Sequence, residues 1–159
     1  VSPMILERLS REPYRLTMRR GSARVGTVPD AVQVGPKVCL INKYSASDGD
    51  LFPWGFHALG LGKLIGTRTW GGIIGISGSL PYMDGTDIRV PFFTSYDPKT
   101  GSWIVENHGV DPDILIDNDP IKEWNGEDQQ LNRAIEEVMK ELQNRKPLPG
   151  IPAPRDFSK

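Results

Sequence analysis

A chain of 159 residues with a net charge of −1 suits one domain large enough to bury most of its apolar surface. Lysines and arginines are interspersed with acids, which excludes a basic stripe for nucleic acid and a polybasic membrane anchor. No apolar run approaches the ~20 residues that span a bilayer, and the single cysteine, Cys39, rules out an intrachain disulfide.

Taken in order, Ser2 reads as the N-cap of a short amphipathic helix over Pro3–Leu9, with Ile5, Leu6 and Leu9 at apolar spacing. From Arg11 to Arg24 the basic residues Arg11, Arg15, Arg19, Arg20 and Arg24 are set among Tyr14, Leu16 and Met18. This pattern fits an exposed edge strand defended by charge, or a surface whose arginine forks take a carboxylate or a neighbouring subunit. Residues 26–36 read as a connecting loop. Val38-Cys39-Leu40-Ile41 has the length and residue types of a buried strand, placed centrally over 37–42. Cys39 within it is expected to be a small buried hydrophobe.

A turn follows, and then a helix whose candidate core residues are Leu51, Trp54, Phe56 and Leu59. Pro53 is expected in its first turn, where a missing N–H is no loss, and Gly60 and Gly62 end it. Strands are expected over Leu64–Trp70, Ile73–Ser79 and Asp87–Tyr96, the last two joined by a turn at 83–86. A turn at 97–101 leads to a further arm, Ser102–Glu106, and Ile114–Ile116 is a short strand. After Gly126-Glu127-Asp128, the spacing of Leu131, Ile135, Val138 and Leu142 predicts a helix with that stripe in the core. Arg133, Glu136, Glu137 and Lys140 would then face outward. Residues 1–146 form one unit, and the proline-rich tail 147–159 is expected to be extended, disordered or laid across a partner. The alternation of strands and helices makes the whole a mixed α/β domain. No cluster of Cys and His has metal-ligand spacing, and neither metal nor cofactor is expected.

The chemistry concentrates at Ser47-Asp48-Gly49, where the strand turns into the helix. There a hydroxyl lies beside free backbone N–H groups at the positive end of a helix dipole, which suits a nucleophile that generates an oxyanion. Ser and Asp are also the ordinary N-cap residues. Local chemistry leaves both readings open.

The run from Asn42 to Gly72, with Ser45-Ala46-Ser47-Asp48-Gly49-Asp50 and Gly60-Leu61-Gly62-Lys63-Leu64-Ile65-Gly66-Thr67-Arg68-Thr69-Trp70, resembles the C-terminal catalytic segment of tricorn-type, tail-specific serine peptidases. The later run Val105-Glu106-Asn107-His108-Gly109-Val110-Asp111-Pro112-Asp113 is similar to the same family's second signature. The matching stretches span residues 36–117. The resemblance implies a crotonase-like, Clp-protease-like stacked sheet flanked by helices. It implies hydrolysis of peptide or unfolded-protein substrates through an acyl-enzyme on Ser47, with the Asp48 N–H as an oxyanion donor. Glu106 would support a second serine and the general-base histidine. That Ser-His pair belongs to an upstream half of the polypeptide, so the chain is expected to be a C-terminal fragment, inactive alone, of a cytoplasmic homo-oligomer. An acidic residue governing preference for basic side chains would fall near Met18–Arg20. The arginines here shift the expected preference toward acidic or C-terminal carboxylate substrates.

Neither resident histidine occupies the base's motif position. His57 is expected to project from the helix away from Ser47. On an extended strand His108 would share a side with Glu106 and approach the site. Asp48 and Asp50 read most simply as caps, and Asp111 and Asp113 as loop residues. The alternative to a peptidase is a ligand-binding or assembly module on the same fold.

Overall fold

A computed structural model describes residues 1–154 and 156, with the side chains of 77–80 excepted. In chain order the elements are α1 (Ser2–Leu9), β1 (Arg15–Met18), β2 (Val25–Val28), β3 (Val38–Ile41), α2 (Asp48–Ala58) and β4 (Lys63–Gly66). They continue with β5 (Gly75–Pro81), β6 (Asp87–Phe93), β7 (Ile114–Leu115), α3 (Pro120–Trp124) and α4 (Gln129–Asn144). The result is a mixed α/β arrangement of small sheets and helices. Residues 145–154 carry no regular secondary structure.

The parallel sheet runs β3-β4-β7. Its centre is β4 rather than the expected β3, with Leu64 1% and Ile65 0% exposed. On one face, α2 sets Phe56 against Cys39, Ile41 and Leu64, with Leu6 of α1 closing the cluster. Burial pushes the Cys39 thiol up to about 11, as desolvation of the charged form requires. The other face is covered by α4.

Several boundaries differ from expectation, each for a physical reason. Ser2 lies inside α1, buried, and Val1 is the cap. The arginine-rich segment forms the expected exposed edge strand, β1, and its partner is β2, which takes up the start of the expected loop. Helix α2 begins at Asp48, so Pro53 falls inside it; Leu59, past its end, is 54% exposed. The fourth strand stops at Gly66, whose φ of 137° ends it. A Cβ there would meet the Ile41 carbonyl oxygen. The arm at 102–106 reduces to one bridge between Tyr96 and Trp103.

Helix α4 forms where its periodicity places it, with Asp128 as N-cap accepting the Leu131 N–H. It is turned about 100° round its axis from the expected orientation, the angle of one residue step. Ala134 and Glu137 are buried and Val138 half-buried, while Leu131, Ile135 and Leu142 are exposed, as are Glu136 and Lys140. The polar side faces the sheet because it has partners there. Gln130 Nε2 donates to the carbonyls of Ile41 at 2.8 Å and Ile65 at 2.7 Å. Glu137 pairs with Lys63 on β4 and with Arg133 at 2.9 Å.

Those two cations, Lys63 foremost, hold the Glu137 carboxyl below its usual range. A depressed folded-state pKa contributes stability above the unfolded value of ~4.3, lost as pH falls through the folded one. Glu137→Gln should therefore lower the melting temperature at pH 7, with the gap to wild type closing below pH ~4. Paired thermal melts across pH check this; a gap independent of pH would overturn it.

Candidate active site

The site grows from the carboxyl end of β3. Asn42 Oδ1 accepts the Tyr44 N–H at 3.0 Å, and Ser45 Oγ accepts the Asn42 N–H at 3.2 Å. The Trp70 N–H donates to the Ser45 carbonyl at 2.9 Å, tying this turn to the segment after β4. The next turn places Ser47 at φ 57° and ψ −113°. Positive φ in a residue with a Cβ stores about 1–3 kcal/mol, held in place by surrounding contacts. Ser47 is exposed.

The contacts holding it centre on Asp50, which is 0% exposed. Its Oδ2 accepts the Ser47 N–H at 2.9 Å and the Gly72 N–H at 3.1 Å, and its Oδ1 accepts the Gly71 N–H at 2.8 Å. Ser47 and Asp50 form a capping box at the head of α2, the Asp50 N–H donates to the Ser47 carbonyl at 2.9 Å, and the Ser47 side chain stays exposed. Among the described residues no hydrogen bond takes the Asp48 N–H, which lies in the first turn of α2. The Ser2 hydroxyl holds the Asp48 carboxyl below its usual range.

Glu106 enters from the other side. Its Oε2 accepts the N–H groups of Ile73 at 2.7 Å and Ile74 at 3.0 Å. Four successive amides, Gly71 to Ile74, are thus divided between Asp50 and Glu106. Among the described residues Glu106 Oε1 accepts no hydrogen bond. Glu106 sits in a tight turn, with Val105 at φ 65° and Asn107 at φ 61°, not on an extended strand. Asn107 N–H donates to the Gly71 carbonyl at 2.8 Å, and the buried Thr69 accepts the Val110 N–H at 2.7 Å. Gly71, at φ 86°, must be glycine, since a Cβ would fall 2.5 Å from Gly109 N.

That turn also decides His108. The His108 ring pairs with Asp111, its Nε2 2.8 Å from a carboxylate that Arg68 Nε reaches at 2.6 Å. His108 first, then Arg68, holds the Asp111 carboxyl below its usual range. His57 projects outward, its Nε2 3.4 Å from Asp113. Ser47 and Glu106 are therefore joined in one network, while neither imidazole enters it. The residue missed by sequence reasoning is Asp50. Its spacing from Ser47 is that of a capping box, a local signal that is silent about Gly71 and Gly72.

Beside the turn, at the carboxyl ends of β3, β4 and β7, lies a polar hollow of about 360 Å³ lined in part by Lys43, Tyr44, Asp117 and Gln130. Ligands of open α/β sheets gather at such strand ends. Among the described residues no group of His, Cys, Asp and Glu could hold a metal ion.

The fold has a counterpart among solved structures. The fold matches a candidate peptidase from Parabacteroides merdae at TM-score 0.66 and 18% identity, covering 92% of this chain and 49% of that one. The family follows from the sequence: residues 7–116 match peptidase family S41, and the chain belongs to it. It is 42% identical over 149 residues to the tricorn protease of Thermoplasma volcanium, covering 92% of this chain and 14% of the relative. The Streptomyces coelicolor tricorn protease homolog 1 is 40% identical over 134 residues, covering 84% of this chain and 12% of that one. This chain therefore spans only a small part of the length of these relatives.

Proposed function

We propose that the chain is the nucleophile-bearing part of a serine peptidase that cleaves peptides or unfolded proteins through an acyl-enzyme. The observation that carries this is the strained, exposed Ser47 beside a free Asp48 N–H, linked to Glu106 through Asp50 and the adjoining amides of Gly71–Ile74. Ser47 Oγ attacks the scissile carbonyl carbon and passes its proton to an imidazole. The Asp48 N–H donates to the oxyanion, and collapse expels the amine with that proton. Water then hydrolyses the ester and restores the hydroxyl.

The imidazole comes from an upstream part of the same polypeptide, together with a serine that the free Glu106 Oε1 would support. In this reading residues 1–146 are the C-terminal catalytic subdomain of a crotonase-like fold, and 147–159 a tail. The assembled enzyme is a cytoplasmic homo-oligomer and needs no cofactor. Among the described residues no helix is long and apolar enough to cross a membrane.

A fluorophosphonate probe tests this directly. It should label Ser47 in the complete polypeptide and leave this chain alone largely unlabelled. Absence of labelling in the complete, folded polypeptide would sink the proposal. A second reading, an assembly module, is favoured by the uncovered stripe of α4 at Leu131, Ile135 and Leu142. It predicts a folded complete protein that associates but never reacts with the probe.

A further inference from the structure

We infer that Asp50 is a positioning residue for the nucleophile, an inference that rests on the reading of Ser47 above. An N-cap needs far less than Asp50 supplies. A capping-box carboxylate has one task, to accept the N–H of the cap residue. Asp50 does this for Ser47 at 2.9 Å and also takes Gly71 at 2.8 Å and Gly72 at 3.1 Å. It does so at 0% exposure, with no cationic partner among the described residues. A buried carboxylate is costly unless donors and dipoles satisfy it, and here three N–H groups and the amino end of α2 do so.

The geometry shows what the arrangement accomplishes. Ser47 is held at both ends of its backbone. Its N–H goes to the Asp50 carboxylate, while its carbonyl accepts the N–H groups of Asp50 and Leu51, both at 2.9 Å. That grip fixes the φ of 57° with which Ser47 stands exposed at the head of α2. The same carboxylate fixes Gly71 and Gly72, whose next two amides bind Glu106. Asp50 thereby sets the position of the nucleophile turn relative to the Glu106 carboxylate without touching substrate.

Asp50→Asn in the complete enzyme tests this, because an amide cannot reproduce an acceptor-only group. Whichever way it is turned, its NH2 meets the Gly71 N–H, or the N–H groups of both Ser47 and Gly72. The rate of fluorophosphonate labelling and kcat should each fall about 10²-fold, the scale set by a nucleophile displaced by roughly 1 Å. KM should stay within about threefold, since binding contacts are unchanged. A folded variant labelled at the wild-type rate would overturn the inference.

If Asn at this position prevents folding, amide hydrogen exchange on the wild type decides. The Ser47, Gly71 and Gly72 amides should exchange slowly and at one common rate. A fast Ser47 amide, characteristic of an untethered surface turn, would count against the clamp. Failure of the underlying reading is distinguishable. There Ser47→Ala retains turnover, and the shared exchange rate of the three amides can persist.

Discussion

Ser47→Ala in the complete enzyme is expected to lower kcat by about 10⁴–10⁶-fold, the range found when a serine nucleophile is removed from an assembled acyl-transfer site. The expectation rests on placement. A serine serving only as an N-cap would hold its oxygen on the helix N–H groups, and its loss would cost about 1 kcal/mol of stability with little effect on turnover. Here the Asp50 and Leu51 N–H groups are already taken by the Ser47 carbonyl at 2.9 Å, and the Ser47 side chain is exposed. Removing the hydroxyl should therefore leave folding nearly untouched. Steady-state hydrolysis of a peptide substrate, read beside a thermal melt, separates the two roles. Turnover within tenfold of wild type would end the nucleophile assignment.

Phe56→Ala should destabilise the domain by about 3–5 kcal/mol, the cost of emptying a large aromatic site in a packed core. Phe56 is 2% exposed and lies in the cluster with Leu6, Ile41 and Leu64. It joins α1 and α2 to the strand that delivers the nucleophile turn, and neighbours on several elements cannot all collapse into the space. The variant should show a lower urea midpoint and, at temperatures where it remains folded, a smaller effect on KM than on stability. A loss below about 1 kcal/mol would mean that the α2 face of the sheet is not the principal core.

How much of this was legible in the sequence depends on the range of each interaction. The run Val38–Ile41, the turn and α2 were readable because residue type, capping spacing and a change of period act over a few residues. Phe56 was readable as core for the same reason. Pro53 was misplaced, because the helix starts at Asp48, on a cap shared with the functional turn. His108 was placed near the site on the assumption of an extended strand; positive φ at Val105 and Asn107 turns the chain and sends the ring toward Asp111.

Helix α4 is the sharpest case. Periodicity locates a stripe through Leu131, Ile135 and Leu142, and a stripe ordinarily marks the buried side. The sheet selects the other side, because Gln130 reaches Ile41 across 89 residues and Glu137 reaches Lys63 across 74. Hydrophobic spacing describes what a helix could bury, not which layer stands next to it.

The sequence by itself determined that a strand hands a serine to the start of a helix, with a carboxylate three positions later, and that a second motif carries Glu106. Only the tertiary structure decided that Asp50 spans 21 residues to grip Gly71, that Glu106 holds the adjoining amides, and that the His108 ring turns to Asp111. The reason is physical: propensity, caps and periodicity are local free-energy terms. The partner of a buried carboxylate is chosen by how distant segments pack.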